Sequence, residues 1–298
     1  MALGDPSYPL GFGMSSPPGS QPIPGIPSSP AKQLTAAIKS CTSLERLAQL
    51  YQAHQAVLNP IHVAAIITRL PKLEAGQSPS VTSSTDMGLW GQVPAPAVQQ
   101  QALLRQLLQQ LLSRLKLQGC SDHSPRGVAN IVWALAKLQC APDGQLSAML
   151  LDGFCQQLSS AVPQDISNVL WGVAKLTKER AAVLSAASGS MQQQPGAGLD
   201  ASLAAAGATG PMLQQEQVRL LLQHLCKQLH SASVQTISNS LWAVVVLQQE
   251  YQWCMCNCLA EVQTLLAAFC AQPQQALPGH IQPIIRCVFG SAVDRARI

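Results

Sequence analysis

Three tryptophans stand at matching places in three similar stretches of the chain, and they are its clearest chemical feature. Each follows an asparagine by three positions, and the pairs are Asn130–Trp133, Asn168–Trp171 and Asn239–Trp242. An exposed indole can stack on a nucleobase, which contributes about 1–3 kcal/mol per base. A buried indole instead fills the gap between neighbouring helices. Because these indoles recur at one fixed place, we expect packing between repeats to be their main role.

The polar residues around the tryptophans vary from stretch to stretch. On a helix they share one arc, opposite a continuous apolar face that is formed in the first stretch by Val128, Ile131, Val132, Leu135 and Leu138. The polar arc holds the candidate ligand-contacting side chains, namely Arg126, Asn130, Lys137, Gln164, Asp165, Asn168, Lys175, Gln235, Thr236 and Asn239. A constant apolar side suits packing. A variable polar side suits recognition, because modular RNA repeats read one base with two or three side chains.

The lysines and the asparagines of the polar arc each allow two interpretations. Lys137 and Lys175 project from the same arc, where they could follow phosphates at the repeat spacing or simply be solvated charges. Val246 takes the corresponding place in the third stretch and breaks the series. The asparagines could bridge neighbouring helical turns or contact a ligand in the same way in each repeat.

The spacing of the tryptophans predicts the fold. Trp133 and Trp171 are 38 residues apart, and Trp171 and Trp242 are 71 apart, which is one further period plus an insertion. A fixed period of this size is typical of stacked helical repeats. The sequence therefore predicts an all-α protein, an α-solenoid of paired antiparallel helices with a repeat of about 38 residues.

Composition divides the chain into four parts. Residues 1–30 are rich in Pro, Gly and Ser and are predicted to be disordered, and residues 33–74 are predicted to form a degenerate first repeat. Residues 75–98 read as a flexible linker. Residues 99–298 read as the helical repeat array, with a low-complexity insertion at 180–211.

Helical periodicity and capping signals place the individual helices. The main predicted helices span residues 61–73, 99–117, 124–139, 163–177 and 234–249. Ser124 and Pro125 supply an N-cap and a first helical residue. Residues 33–57 read as a helix or a helix pair that is broken near Ser40–Ser43.

Composition and motifs argue against an enzyme. Phosphate loops, nucleophile elbows and zinc-protease motifs are not found, so we expect no catalytic residues, no cofactor and no metal site. Cys254 and Cys258 share a helical face but have no further ligands nearby, and the ten cysteines read as reduced thiols. Charged residues make up 11 %, the net charge is +4, and no membrane span is predicted. This charge is weaker than the footprint of many nucleic-acid binders.

The repeats resemble a known family. The strings ANIVWALAKL at 129–138 and SNVLWGVAKL at 167–176, with their 38-residue period, resemble octotricopeptide repeats, which occur in organellar gene-expression factors. They are also similar to the helical repeats that accompany FAST-kinase-like and RAP domains. Residues 61–73 resemble the opening segment of such proteins. The resemblance covers roughly residues 33–74 and 99–272.

The resemblance implies a ligand that the residues alone do not name. It implies sequence-selective binding of single-stranded organellar RNA, acting on the stability, processing, splicing or translation of a transcript. Further proteins of a ribonucleoprotein complex are expected partners. The expected compartment is the chloroplast, with the mitochondrion as the alternative. The alternative function is a protein-binding α-solenoid scaffold that makes no contact with RNA.

Overall fold

The computed structural model describes residues 29–75, 95–120, 122–190, 213–253 and 255–271, and within these ranges every regular element is helical. The α-helices in chain order are α1 Pro30–Ser40, α2 Leu44–His54, α3 Pro60–Ala75, α4 Ala95–Gln118, α5 Pro125–Lys137, α6 Gly144–Gln156, α7 Pro163–Ser190, α8 Gln215–Lys227, α9 Val234–Tyr251 and α10 Leu259–Cys270. Short 3-10 turns follow α2, α6 and α8 and precede α10. The predicted all-α class is therefore confirmed for this part of the chain.

The helices begin where side chains can satisfy their first backbone N–H groups. The hydroxyl oxygen of Ser124 accepts from the N–H of Gly127 at the start of α5, and Pro125 follows it, as predicted. Ser233 does the same for Thr236 at the start of α9. These caps fix the register in which each motif helix presents its apolar and polar sides.

The helices pack in an alternating order. Each odd-numbered helix contacts the next, so that α1 packs on α3, α3 on α5, α5 on α7 and α7 on α9. Among the even-numbered helices, α2 contacts α4, α4 contacts α6, and α8 contacts α10. Each even-numbered helix also contacts an odd-numbered neighbour. We call the first series the odd row, because it carries all three motif tryptophans.

One hydrophobic core runs between these helices. The predicted apolar face of α5 is buried in it, with Val128, Ile131 and Leu135 at 0 % exposure. The corresponding face of α7 is buried through Ile166 and Val173. Burial of the fixed face leaves the tryptophan side of each odd-row helix at the edge of the core.

Helices α5 and α7 cross closely at a small residue. A Cβ atom added to Gly172 would lie 2.8 Å from Cγ1 of Val132 and 3.1 Å from its carbonyl oxygen. The residue after the tryptophan is also small and fully buried in the other two motif helices, where it is Ala134 and Ala243. This position therefore sets how near one motif helix can approach another.

Several helix boundaries differ from those predicted. Helix α7 continues to Ser190, past its predicted end at 177 and into the predicted insertion at 180–211. The reason is local, since strong helix formers follow residue 177 and Lys175 pairs with Glu179 one turn later. Helix α4 begins at Ala95 instead of 99.

Other predictions fall partly or wholly beyond the described residues. The interruption near Ser40–Ser43 is present, and it separates α1 from α2. The predicted disordered segment 1–30 lies almost entirely outside the described residues, as do most of the linker 75–98, much of the insertion and the end of the predicted array from residue 272 onward. The division into four parts and the repeat length remain predictions.

Candidate nucleic-acid interface

The motif tryptophans lie at the border between core and solvent. All three are partly exposed while their inner edges pack against the core. The rings of Trp171 on α7 and Trp242 on α9 contact each other, with centroids 6.3 Å apart and planes tilted by 34°. The indoles therefore fill the gap between neighbouring helices and also present aromatic surface outward.

A lysine from α5, the preceding helix of the odd row, lies over this aromatic surface. The ammonium of Lys137 lies 5.2 Å from the centroid of the Trp171 ring, which is a cation–π contact. Lys137 stands one turn beyond Trp133 on α5, so both project from the same side of that helix. We call Lys137, Trp171 and Trp242 the tryptophan ladder, because the three side chains link α5, α7 and α9 in sequence.

The second lysine of the motif is held differently. Lys175 is half-buried, and its ammonium lies 3.0 Å from a carboxylate oxygen of Glu179. Val246, at the corresponding place on α9, is buried with 6 % exposure. Among these three equivalent residues, only Lys137 therefore carries an exposed positive charge.

Two of the three recurring asparagines accept hydrogen bonds within their own helices. The side-chain amide of Gln164 donates to Oδ1 of Asn168 at 2.8 Å, and that of Gln235 donates to Oδ1 of Asn239 at 2.7 Å. In α5 the position of these glutamines is taken by Arg126. The bridge between turns is thus present in the two later copies. Asn168 is buried, whereas Asn130 and Asn239 are partly exposed.

Two of the variable positions lie inside the helix packing. Thr236 is 1 % exposed, and its hydroxyl donates to Oε1 of Gln164, which joins α9 to α7. Its carbonyl oxygen accepts from the hydroxyl of Ser167 at 3.1 Å. Asp165 is 6 % exposed and accepts from the backbone N–H of Val162. Of these residues, which are predicted to contact the ligand, Thr236 therefore joins two helices and Asp165 caps the start of its own helix, while Gln235 is exposed.

Burial also changes the ionisation of this aspartate. It raises the pKa of Asp165, although the N–H of Val162 and the positive charge of Arg126 act in the opposite direction. Gly127 occupies the corresponding place on α5. The carboxylate is thus a feature of the second copy alone, at the side that faces α5.

A groove lies between α1, α3 and α5, with a volume of about 600 Å³. Its cations are Lys39 from α1, Arg69 and Lys72 from α3, and Arg126 from α5, and Trp133 lines it as well. We call this the basic groove. Trp133 and Lys137 are one turn apart, so the basic groove continues into the tryptophan ladder along the odd row.

The structure thus adds residues that the motif did not indicate. Lys39 and Arg69 lie on helices without the tryptophan motif. Lys72 and Thr68 lie 65 residues before Lys137 and Trp133, so an alignment of the predicted first repeat with α5 pairs Lys72 with Lys137 and Thr68 with Trp133. The guanidinium of Arg69 donates from Nε and Nη2 to the carbonyl oxygen of Cys41, at 2.9 and 2.6 Å. This fork holds the Arg69 side chain in place at the groove wall.

The groove wall also contains one acid and one buried imidazole. Asp122 is exposed, and His123 beside it is 3 % exposed. Burial lowers the pKa of His123, with the charge of Asp122 acting in the opposite direction. Nε2 of His123 has no hydrogen-bond partner among the described residues.

Four cysteines of the described ranges have pKa values strongly raised by burial. Burial raises the pKa of Cys120, Cys155, Cys226 and Cys258 to about 11, so these thiols hold their protons at neutral pH. In the described ranges no three His, Cys, Asp or Glu side chains come together as a metal-binding group. Cys254 lies outside the described residues.

Among the helices that the structure describes, none has the length and apolar character needed to cross a membrane.

The comparisons with known proteins find no relative. No model of a known protein family matches the chain, and a search of curated proteins finds no match.

Proposed function

We propose that this protein binds single-stranded RNA along the odd row of an α-solenoid. The observation that carries the proposal is the tryptophan ladder, in which Lys137, Trp171 and Trp242 come from three successive motif helices onto one surface. Aromatic rings beside cations are what single strands require, because bases stack on the rings while positive charge follows the backbone. The proposed ligand is an organellar transcript, whose stability, processing, splicing or translation the protein would regulate.

The alternating helix contacts support the solenoid. In stacked repeats each unit contacts only its neighbours, and the odd row has this order from α1 to α9. Helices α5 and α7 begin at Pro125 and Pro163, which are 38 residues apart. The longer interval before α9 would then be a second repeat that carries an insertion after α7.

The ladder also limits how a base would bind. The rings of Trp171 and Trp242 already contact each other, so a base would stack on their exposed side and not between them. Lys137 would contact the neighbouring phosphate, since its ammonium already lies over the ring of Trp171. The buried Asp165 and Thr236 would set the spacing of the helices, leaving Gln235, Asn239 and Asn130 as the more accessible candidates for reading bases.

A protein-binding scaffold is the alternative function. It is favoured by Ile61, which lines the groove and is 66 % exposed, as an apolar anchor for a peptide would be. The low content of charged residues, 11 %, points the same way. On this alternative the same surface would hold a protein segment, and RNA affinity would be at background.

The first test is direct binding by the full chain. A fluorescein-labelled pool of random single-stranded RNA should bind, weaken as salt is raised, and quench tryptophan fluorescence, because Trp171 and Trp242 are partly exposed. Duplex RNA of equal length should bind less. Equal binding of duplex and single strand would contradict single-strand binding. Binding no greater than that of a basic control protein would contradict the proposal and favour the scaffold.

The second test identifies the transcript and its compartment. Ultraviolet crosslinking of the tagged protein in its native cells, followed by sequencing of the attached RNA, should give sharp footprints on one or a few organellar transcripts. Chloroplast footprints would support the expected compartment, and mitochondrial footprints the alternative. Enrichment no greater than that of a tag-only control would count against an RNA ligand.

A further inference from the structure

The basic groove concentrates the positive charge of the chain. Four cations and one acid, Asp122, line it, which amounts to a formal charge of +3 from lining residues. The net charge of the whole chain is only +4. A weak overall charge thus becomes a strong local one, and a local field of one sign attracts an anionic ligand.

The lining positions favour an anion still further. Gly127 stands where α7 carries Asp165, so α5 brings no carboxylate to the groove at that position. The carbonyl of Cys41 holds the Arg69 fork, while the remaining N–H donors of the guanidinium stay available for another acceptor. A planar guanidinium matches the geometry of a phosphate group.

The groove has the size for part of a nucleic-acid strand. Its volume of about 600 Å³ lies within the range of ordinary ligand sites, roughly 300–1,000 Å³. Lys39 and Lys72 are exposed and line the groove from different helices, so positive charge comes to it from both α1 and α3. Trp133 lies at the end of the groove that leads to Lys137.

We propose that the basic groove holds backbone phosphates of the bound strand and acts as a sequence-independent anchor, separate from the tryptophan ladder. This rests on the proposed RNA binding, because the strand that enters the groove is the one that stacks on the ladder. Phosphate contacts give affinity and position but carry no base information. Sequence preference then comes from the ladder and its neighbouring polar side chains.

The test compares two double variants of the full chain. Lys39→Gln with Lys72→Gln removes two groove charges. Arg105→Gln with Lys227→Gln removes two exposed charges that do not line the groove, on α4 and α8. Lys227 is a matched control for the helix-end charges, because it also lies in the last turn of its helix. Circular dichroism and melting confirm that both variants fold.

The readout is the salt dependence of binding to random and to homopolymeric single-stranded RNA. The slope of log affinity against log salt is negative, and the groove variant should make it shallower by about 1.4, since each phosphate contact in a single strand contributes roughly 0.7. The ranking of the homopolymers should stay the same. The control variant should keep the wild-type slope.

Three outcomes would overturn the inference, and they are distinguishable. If the wild type binds and the groove variant keeps the wild-type slope, the anchor is wrong while RNA binding stands. If the groove variant changes the ranking of the homopolymers with no change in slope, the groove reads bases instead. If the wild type binds no RNA, the proposed function and the anchor fail together.

Discussion

The basic groove and the tryptophan ladder are formed by successive helices of one row, yet they offer opposite chemistry. The groove, between α1, α3 and α5, holds four cations and a single indole at its end. The ladder, across α5, α7 and α9, holds two indoles in contact and one cation. Similar helix packing therefore supports an electrostatic region next to an aromatic one.

The difference comes from residue types at equivalent positions. Thr68 on α3 aligns with the tryptophans, and its hydroxyl donates to the carbonyl oxygen of Ala64 instead of displaying an aromatic ring. Arg126 takes the place of Gln164 and is exposed. Side chains at equivalent positions of the odd-row helices thus make one region aromatic and its neighbour charged.

Loss of an indole from the ladder should have the largest effect on binding. Trp171→Ala should weaken RNA affinity by about 1–3 kcal/mol, which is roughly 5- to 150-fold, and leave the salt slope unchanged. Fluorescence anisotropy at several salt concentrations measures both quantities. Trp253→Ala is the control, because Trp253 packs on Tyr251 with ring centroids 4.8 Å apart and is not part of the ladder. An equal loss in both variants would mean that the effect is structural.

A methyl group added at the close crossing of α5 and α7 should destabilise the fold, whereas one added in the basic groove should not. Gly172→Ala should cost about 2 kcal/mol of unfolding free energy, because the added Cβ meets the backbone of Val132. Gly127→Ala, in the groove, should cost nothing, since its nearest neighbour would be Oγ of Ser124 at 3.5 Å. Chemical denaturation compares the two. Similar values would show that the crossing can relax.

Neutralising the buried carboxylate should stabilise the fold by about 1 kcal/mol. Burial raises the pKa of Asp165, so the folded state binds its proton more tightly than the unfolded state, and ionisation costs stability as the pH rises. Asp165→Asn should therefore melt higher at neutral pH. The advantage should shrink as the pH falls towards the ordinary carboxyl pKa. A melting difference that is constant with pH would contradict this.

The same variant should also change binding. Removing the negative charge leaves the charge of Arg126 less compensated, so the affinity for RNA should rise slightly at low salt. Asp152→Asn serves as the control, since the carboxylate of Asp152 is exposed and accepts from Gln217 on α8. A rise in both variants would reflect net charge alone.

The cation of the ladder should contribute less to RNA affinity than its indoles. Lys137→Gln should cost about 0.5–1 kcal/mol of RNA affinity, because one cation–π contact and one phosphate partner are lost. Lys178→Gln is a useful comparison, since Lys178 is exposed near the end of the motif on α7. Titration calorimetry at low salt measures the difference. A larger loss at Lys178 would move the bound strand further along α7.

The sequence predicts well what one helix can determine alone. The apolar face of α5 is buried as expected from its periodicity, with Ile131 at 0 % exposure, and the helix begins at Ser124 and Pro125. What the sequence cannot supply is how two helices meet. Thr236 belongs to the polar arc of its own helix, yet it is buried in the contact with α7, where its hydroxyl donates to Gln164, 72 residues earlier.

The groove was hidden for the same reason. Lys39 comes from a helix with no tryptophan motif, so no periodic signal connects it to Arg126. The fixed place of Trp171 in its motif, in contrast, predicts that it packs between repeats, and in the structure it packs against the core. Repeat patterns identify equivalent positions within the motif, and only tertiary packing shows which other residues join them.

The alkylation rates of four protonated thiols can report how the fold opens locally. Cys120, Cys155, Cys226 and Cys258 lie before α5, in α6, in α8 and before α10, each with a pKa of about 11. At pH 8 only about a thousandth of each is thiolate, and all four are buried or partly buried, so alkylation is slow until local opening frees them. Four equal alkylation rates would mean that the helices open as one cooperative body. Four different rates would time the opening of the array segment by segment.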